Sequence, residues 1–295
     1  MSQTGMIAVD WGTTNRRIYK LAPDGTCEAG RSDSMGVLSV PPGGFEAEIA
    51  AMRAEFGAGP MLLAGMVGSD RGWREVPYVP CPVDLSALRQ ALCWVNGGDI
   101  AIVPGVSFIE EEGRGDVMRG EEVQILGAVA AGLCPADALV CHPGTHAKWV
   151  RLKSGAMTGF RTVMTGELFA LLRGGGILAP QLQGEAKPDA DFARGVEAAF
   201  RNNALSADLF SARAGALLGL RGRDAASYVS GLLIGADIGI GLVVGGERDD
   251  VVLIGEEALT TLYAAALDIA GRRMETIDGE VAFLAGARAL MEERR

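Results

Sequence analysis

The sequence predicts an α/β protein made of two domains of ordinary size. Three observations lead there. The 295 residues are 48% hydrophobic and 22% charged, which supplies a large packed core. Helix-period and strand-period segments alternate along the chain. A strand–turn–strand–turn–strand cluster occurs near the start and again from about residue 137.

The first cluster opens with the apolar run Met6–Asp10. Trp11-Gly12-Thr13-Thr14-Asn15 reads as a turn and Arg16–Leu21 as the second strand. Pro23-Asp24-Gly25 is a hairpin signal, and Thr26–Arg31 returns beside it. Helical spacing follows over Phe45–Phe56, then a buried strand over Met61–Ala64. Asp84 caps a helix expected to run to Cys93, Ile100–Val103 is a strand, and Glu121–Ala131 is a helix. A boundary near Gly132–Pro135 divides the chain into domains 1–132 and 133–295, with the last helix free to pack back toward the first.

The second cluster runs Ala138–Cys141, a turn at His142–His146, Ala147–Lys153, a hairpin turn at Ser154-Gly155, and Ala156–Phe160. Helices are expected over Gly166–Leu172, Asp189–Phe200, Ser206–Leu218 and Asp224–Ile238. A strand at Val251–Ile254, a helix at Glu256–Ala270, a strand at Met274–Ile277 and a helix at Glu280–Glu293 finish the chain. The most apolar stretch, Val229–Gly246, contains Asp237 and several glycines. It reads as a buried helix followed by a glycine-rich turn rather than a membrane span.

Composition removes several classes of function. Lys and Arg total 27 against 37 Asp and Glu, a formal charge of −10. That disfavours non-specific nucleic-acid binding, which needs a basic surface, but leaves room for a small anionic substrate held by local cations. The five cysteines are odd in number and form no Cys-x-x-Cys pair, against a disulfide framework or a zinc ribbon. The two histidines, His142 and His146, are separated by Pro143 and Gly144, which keeps them off one helix face. Met1–Gly5 lacks the basic and apolar regions of a signal peptide, and a cytoplasmic location is expected.

Four motifs carry chemistry. Asp10-Trp11-Gly12-Thr13-Thr14-Asn15 joins two strands. A tight turn of this kind presents backbone N–H and hydroxyl donors to phosphate oxygens, and an Asp at the strand end can hold Mg²⁺ through water. As a plain hairpin turn it would show the same residues. Pro143-Gly144-Thr145-His146-Ala147-Lys148 repeats the Gly-Thr turn in the second half, with Lys148 as an added charge. Arg119-Gly120-Glu121-Glu122 opens a helix with two carboxylates. One could take a proton from an acceptor hydroxyl, although acids at a helix N-terminus are also simply favourable to its dipole. Val251-Val252-Leu253-Ile254-Gly255-Glu256-Glu257-Ala258-Leu259 is a buried strand ending at a glycine before a helix N-terminus, where a flat base can approach the backbone, although an ordinary strand-to-helix turn would show the same residues. No P-loop, dinucleotide fingerprint, nucleophile elbow or His-Glu-x-x-His motif is present.

In chain order the motifs resemble the phosphate-1, connecting-helix, phosphate-2 and adenosine elements of the sugar kinase/actin/heat-shock chaperone superfamily. The longer segments Asp10–Arg17, Ala64–Ser69, Gly72-Trp73 with Pro77-Tyr78, Val117–Glu122, Pro143–Val150 and Thr162–Leu168 narrow the likeness to the 2-keto-3-deoxygalactonate kinase family. The resemblance implies an actin-like ATPase (ribonuclease H-like) fold with an interdomain nucleotide cleft. It implies transfer of the γ-phosphate of ATP to the 6-hydroxyl of 2-dehydro-3-deoxy-D-galactonate in galactonate catabolism, with Mg²⁺ at Asp10.

Carried onto this chain, the likeness implies Glu121 or Glu122 as the base, with Glu121 favoured by its place after Gly120. It implies phosphate and nucleotide contacts from Gly12, Thr13, Thr14, Gly144, Thr145, Lys148, Gly255 and Glu256. Substrate contacts are implied for Asn15, Arg17, Arg71, Trp73, Arg161, Thr165 and Glu167. The substrate carboxylate would fall to Arg17, Arg71, Arg161 or Lys148, an Arg fork being the better geometry. Many relatives carry Asp as the base and Gly-Gly in the adenosine segment, where this chain has Glu and Gly255-Glu256. A kinase of another sugar acid, a nucleotide-binding sensor and a chaperone-like ATPase are the alternatives. A homo-oligomer is compatible with all of these, and no nucleic-acid or membrane partner is expected.

Overall fold

The computed structural model describes residues 5–95, 97–202, 204–220, 224–245 and 250–292. The chain divides into two compact units. The first holds the chain up to Ala136, Lys153–Gly159 and the stretch from Gly279, and the second holds Asp137–Leu152 and Phe160–Asp278. The first unit therefore runs four residues beyond the expected break and takes back two later pieces, the second of which carries the last helix.

The first unit begins with β1 (Met6–Trp11), β2 (Arg16–Leu21), β3 (Cys27–Asp33), α1 (Phe45–Phe56) and β4 (Met61–Gly65). Next come β5 (Val79–Pro80), α2 (Leu85–Gln90), β6 (Cys93–Val95), β7 (Ile100–Ile102), β8 (Val106–Ile109), β9 (Gly115–Met118) and α3 (Glu121–Ala130). The main sheet has the order β3-β2-β1-β4-β7-β6. β4 pairs in parallel with β1 and β7, and all five of its residues are buried. That explains its unbroken apolar run, since a central parallel strand is covered on both faces. α1 buries Phe45, Ile49, Met52 and Phe56, one helical face, against this sheet's core.

Two expectations fail here. The helix capped by Asp84, whose carboxylate accepts the Ala87 N–H at 2.7 Å, stops at Gln90. Cys93 instead starts β6, which pairs antiparallel with β7. Pairing with a buried neighbour outweighs local helix preference over so short a stretch. The small sheet β5-β8-β9 was not anticipated at all. Its β8–β9 hairpin closes through Glu110–Arg114, where Gly113 takes φ +84°.

The second unit contains β10 (Ala138–His142), most of β11 (Ala147–Lys153), the second half of β12 (Ala156–Val163), α4 (Thr165–Gly174), α5 (Ala190–Asn202), α6 (Leu205–Leu217), α7 (Ala225–Gly245), β13 (Val251–Gly255), α8 (Glu257–Ile269) and β14 (Met274–Asp278). α9 (Gly279–Met291) follows and belongs to the first unit. The sheet order β12-β11-β10-β13-β14 repeats the pattern β3-β2-β1-β4-β7 of the first unit. Both sheets set a run of consecutive strands beside parallel additions, so the repeated cluster in the sequence has a structural counterpart.

α7 corrects a third expectation. It does not end at Ile238 but continues through the glycines to Gly245. Glycines on either side of Ile238 serve close packing. A Cβ on Gly231 would lie 2.1 Å from the Phe192 carbonyl oxygen of α5. A Cβ on Gly241 would lie 1.9 Å from the Trp149 ring of β11. The helix is long and apolar enough to cross a membrane by length and composition. Yet Val229, Leu232, Ile234 and Ile238 are buried within the unit, as befits a core helix.

Candidate active site

In the first unit β1 delivers Asp10 and β2 delivers Arg17, its cross-strand partner in the register. Arg17 Nη1 lies 3.9 Å from Asp10 Oδ2. Burial raises the Asp10 pKa to about 6, the Arg17 guanidinium opposes the shift, and the negative charge of Glu121 adds to it. Glu121 and Glu122 stand in the first turn of α3. The Glu121 carboxylate accepts the Arg119 backbone N–H at 3.1 Å and remains half-buried. Glu122 has no solvent exposure, and Oε2 accepts the Gly120 N–H at 2.7 Å. Its Oε1 has no partner. Burial, with Glu121 second, pushes its pKa to about 8.

These facts separate two adjacent acids that the sequence left as alternatives. Burial favours the protonated form of Glu122, which is closed to solvent. Glu121 is reachable and shares an electrostatic field with Asp10.

The Gly12–Asn15 turn is held from both sides. The Gly12 N–H donates to the Asn15 carbonyl at 2.9 Å, closing the hairpin, and Thr13, Thr14 and Asn15 are exposed at its tip. The segment Gly36–Leu38 lies against it: Gly36, Val37 and Leu38 donate to the carbonyls of Thr14, Gly12 and Thr13 at 3.2, 3.0 and 3.3 Å. A Cβ on Gly36 would sit 2.3 Å from the Thr13 oxygen. Below the turn, Arg16 is 2% exposed and is paired with Asp33 at 2.9 Å and Glu48 at 2.8 Å. Its guanidinium also covers the Trp11 ring, 4.9 Å from the centroid. Arg16 is therefore structural, whereas Arg17 on the opposite strand face meets Asp10.

In the second unit the corresponding turn, Gly144-Thr145, is braced by the start of α4. A Cβ on Gly166 would fall 2.6 Å from the Gly144 carbonyl oxygen, and the Glu167 N–H donates to the Thr145 carbonyl at 2.9 Å. Lys148 is 3% exposed and donates from Nζ to the His146 carbonyl at 3.1 Å. Its charge thus lies beneath the turn. The Glu167 carboxylate meets His146 Nε2 at 2.5 Å. Thr165 is buried, and its hydroxyl donates to Asp237 at 2.6 Å.

A cavity of about 540 Å³ opens beside this turn, within the range of small-ligand sites. Gly144, Thr165 and Gly166 form one wall, Ser230 and Leu233 of α7 another, and Glu257–Leu259 with Tyr263 of α8 a third. The segment Val251–Leu259 thus reaches the cavity through Glu257, Ala258 and Leu259, while Gly255 and Glu256 are not among the lining residues. Gly255 is buried, the point where its Cβ would stand lying 3.6 Å from the Pro143 carbonyl oxygen, and Glu256 is the exposed N-cap residue of α8.

The remaining predicted residues fall in both units. Arg71 is exposed, its backbone N–H donating to Ser69 Oγ at 3.2 Å. Trp73 packs half-buried against the first unit's core. Arg161 lies half-buried on β12 of the second unit. Sequence reasoning passed over Gly36, Gly166 and Asp237, whose importance shows only through what they touch.

A family model described as 2-keto-3-deoxy-galactonokinase matches residues 10–290. The chain belongs to this family. A Rhizobium meliloti (strain 1021) protein assigned as a 2-dehydro-3-deoxygalactonokinase is 38% identical over 293 residues, covering 96% of this chain and 95% of that one. The 2-dehydro-3-deoxygalactonokinase of Escherichia coli (strain K12) is 35% identical over 288 residues, covering 96% of each. A crystal structure of a Sinorhizobium meliloti protein assigned the same activity superimposes with a TM-score of 0.90 at 36% identity, covering 97% of both chains. The fold is accordingly the mixed α/β actin-like ATPase fold. Family membership makes the chain a phosphotransferase acting on an alcohol group.

Proposed function

We propose that the chain phosphorylates the 6-hydroxyl of 2-dehydro-3-deoxy-D-galactonate with ATP, as a cytoplasmic enzyme of galactonate catabolism. The full-length match to the kinase family is the observation that carries this reading. Phosphoryl transfer depends mainly on positioning and on neutralising charge. The Gly12–Asn15 and Gly144-Thr145 turns are proposed to bind phosphate oxygens through N–H and hydroxyl donors. The cavity lined by α7 and α8 is proposed to take the adenosine, so the base contacts come from Glu257–Leu259 rather than from Gly255 and Glu256.

Glu121 is proposed as the base. It would accept the proton of the 6-hydroxyl as that oxygen bonds to the γ-phosphorus and the bond to the ADP oxygen breaks. Glu122, protonated and enclosed, would hold the helix entry through Gly120. Arg17 is the cation we assign to the substrate carboxylate, because it stands beside Asp10 and the proposed base. The donor set suits Mg²⁺. Among the described residues no group of three His, Cys, Asp or Glu side chains forms a protein-only metal cage. Mg²⁺ instead uses one or two carboxylates with phosphates and water, and Asp10 would supply the carboxylate. Bound there, it would neutralise charge on the β- and γ-phosphates.

The test is coupled ADP release with 2-dehydro-3-deoxygalactonate set against its gluconate epimer. Turnover with the galactonate compound and a lower kcat/KM for the epimer is expected. ATP binding without ADP release from any sugar acid would replace the kinase with a sensor.

A further inference from the structure

We propose that Asp237 is a positioning residue that sets the Gly144-Thr145 turn for phosphate binding, acting through Thr165. The role given to that turn rests on the kinase reading above. Asp237 lies inside α7 with no solvent exposure. A buried carboxylate is tolerated only when its oxygens are well bonded. Here Oδ1 accepts the Trp149 Nε1–H at 2.6 Å, and Oδ2 accepts the Thr165 hydroxyl at 2.6 Å and the Tyr263 hydroxyl. One side chain thus ties β11, α4 and α8 to α7.

The arrangement is built into α7. Gly241 follows Asp237 by one helical turn on the same face. The Trp149 ring occupies the space that a side chain at Gly241 would need. The indole can therefore lie across the helix with its N–H on Asp237.

The branch through Thr165 reaches the turn. Thr165 is the first residue of α4, and the residue before it, Met164, provides no side-chain cap. The helix entry is held instead by the Thr165–Asp237 hydrogen bond. The next two residues are those that meet the turn: Gly166 packs on Gly144, and the Glu167 N–H bonds the Thr145 carbonyl. Asp237 touches neither turn residue, so its effect passes through the start of α4. Supporting partners of this kind commonly change affinity by about ten- to a hundredfold when removed.

Titration calorimetry of the full chain with ATP and with adenosine, in Mg²⁺, tests this. Thr165→Val is expected to weaken ATP about tenfold, and adenosine, whose proposed cavity Thr165 also lines, by a clearly smaller factor. Thr165→Ser, which keeps the hydroxyl, should restore ATP affinity. Asp237→Ala should weaken ATP at least as much as Thr165→Val, and if it does not fold, the two Thr165 variants decide. Unchanged ATP affinity in Thr165→Val, or equal loss of ATP and adenosine, would overturn the proposal. So would wild-type protein that binds ATP no more tightly than adenosine. These titrations need no sugar acid, so a failure of the kinase reading, seen as absent ADP release, remains distinguishable.

Discussion

Arg17 sets its guanidinium 3.9 Å from the carboxylate of Asp10 across the β1–β2 pair. Burial raises the Asp10 pKa to about 6, and Arg17 is the main influence that limits the rise. Replacing Arg17 by Gln removes that influence, so the Asp10 pKa moves higher. The acid limb of kcat/KM is expected near pH 6 in the wild type and at higher pH in Arg17→Gln. Carbon NMR of the Asp10 carboxyl in nucleotide-free protein gives an independent reading. An unmoved titration in the variant would show that Arg17 does not govern this carboxylate.

The two neighbouring acids of α3 should differ sharply on mutation. Glu121→Gln is expected to lower kcat by about 10²–10⁴-fold, the usual contribution of a positioned base, with ATP affinity retained. Glu122→Gln keeps a neutral, hydrogen-bonding side chain in a place where the wild type is already protonated, so kcat should stay within about tenfold. Steady-state kinetics beside ATP titration separates these outcomes. Equal losses would remove the distinction drawn from burial.

Glu122 also makes stability depend on pH. Its folded pKa, about 8, lies above the ordinary 4.5. Between these values the folded state holds a proton that the unfolded state has released. Stability therefore falls as pH rises through the window, by at most about 1.4 kcal/mol per pH unit. Glu122→Gln lacks this term. Its advantage over wild type in urea unfolding should grow from pH 5 to pH 8 and then level off. A constant difference would contradict the raised pKa.

Gly36 and Gly166 occupy equivalent places against the two Gly-Thr turns, one in each unit. An added methyl would come within 2.3 Å of the Thr13 oxygen and within 2.6 Å of the Gly144 oxygen. Both obstacles are backbone, which cannot rotate away. Each Ala substitution is expected to cost about 1–3 kcal/mol as an overpacked contact. Each should raise the KM for ATP by more than that for the sugar acid. Thermal unfolding and paired KM measurements check this, and unaltered ATP kinetics in folded variants would detach these glycines from nucleotide binding.

Much of the frame was legible in the sequence because it depends on local patterns. Alternation and apolar runs located β1, β2, β4, β10 and β11, and the period of α1 matched its buried face from Phe45 to Phe56. Turn residues located both Gly-Thr tips. The errors arose where distant neighbours decided. Cys93 joined a strand because β7 was there to pair with it. The helix continued past Ile238, where Trp149 packs on Gly241 and Leu139 on Gly245.

By itself the sequence determined most of the order of strands, turns and helices, and the chemical types on display at each turn: carboxylates on α3 and the Gly-Thr tips. Tertiary structure alone decided which acid is closed to solvent, which glycine supports which turn, and that Asp237 bonds Thr165 across 72 residues of chain. The physical reason is range. Backbone period and turn preference act over a few residues, whereas desolvation, close packing and buried hydrogen bonds depend on whatever the folded chain brings alongside.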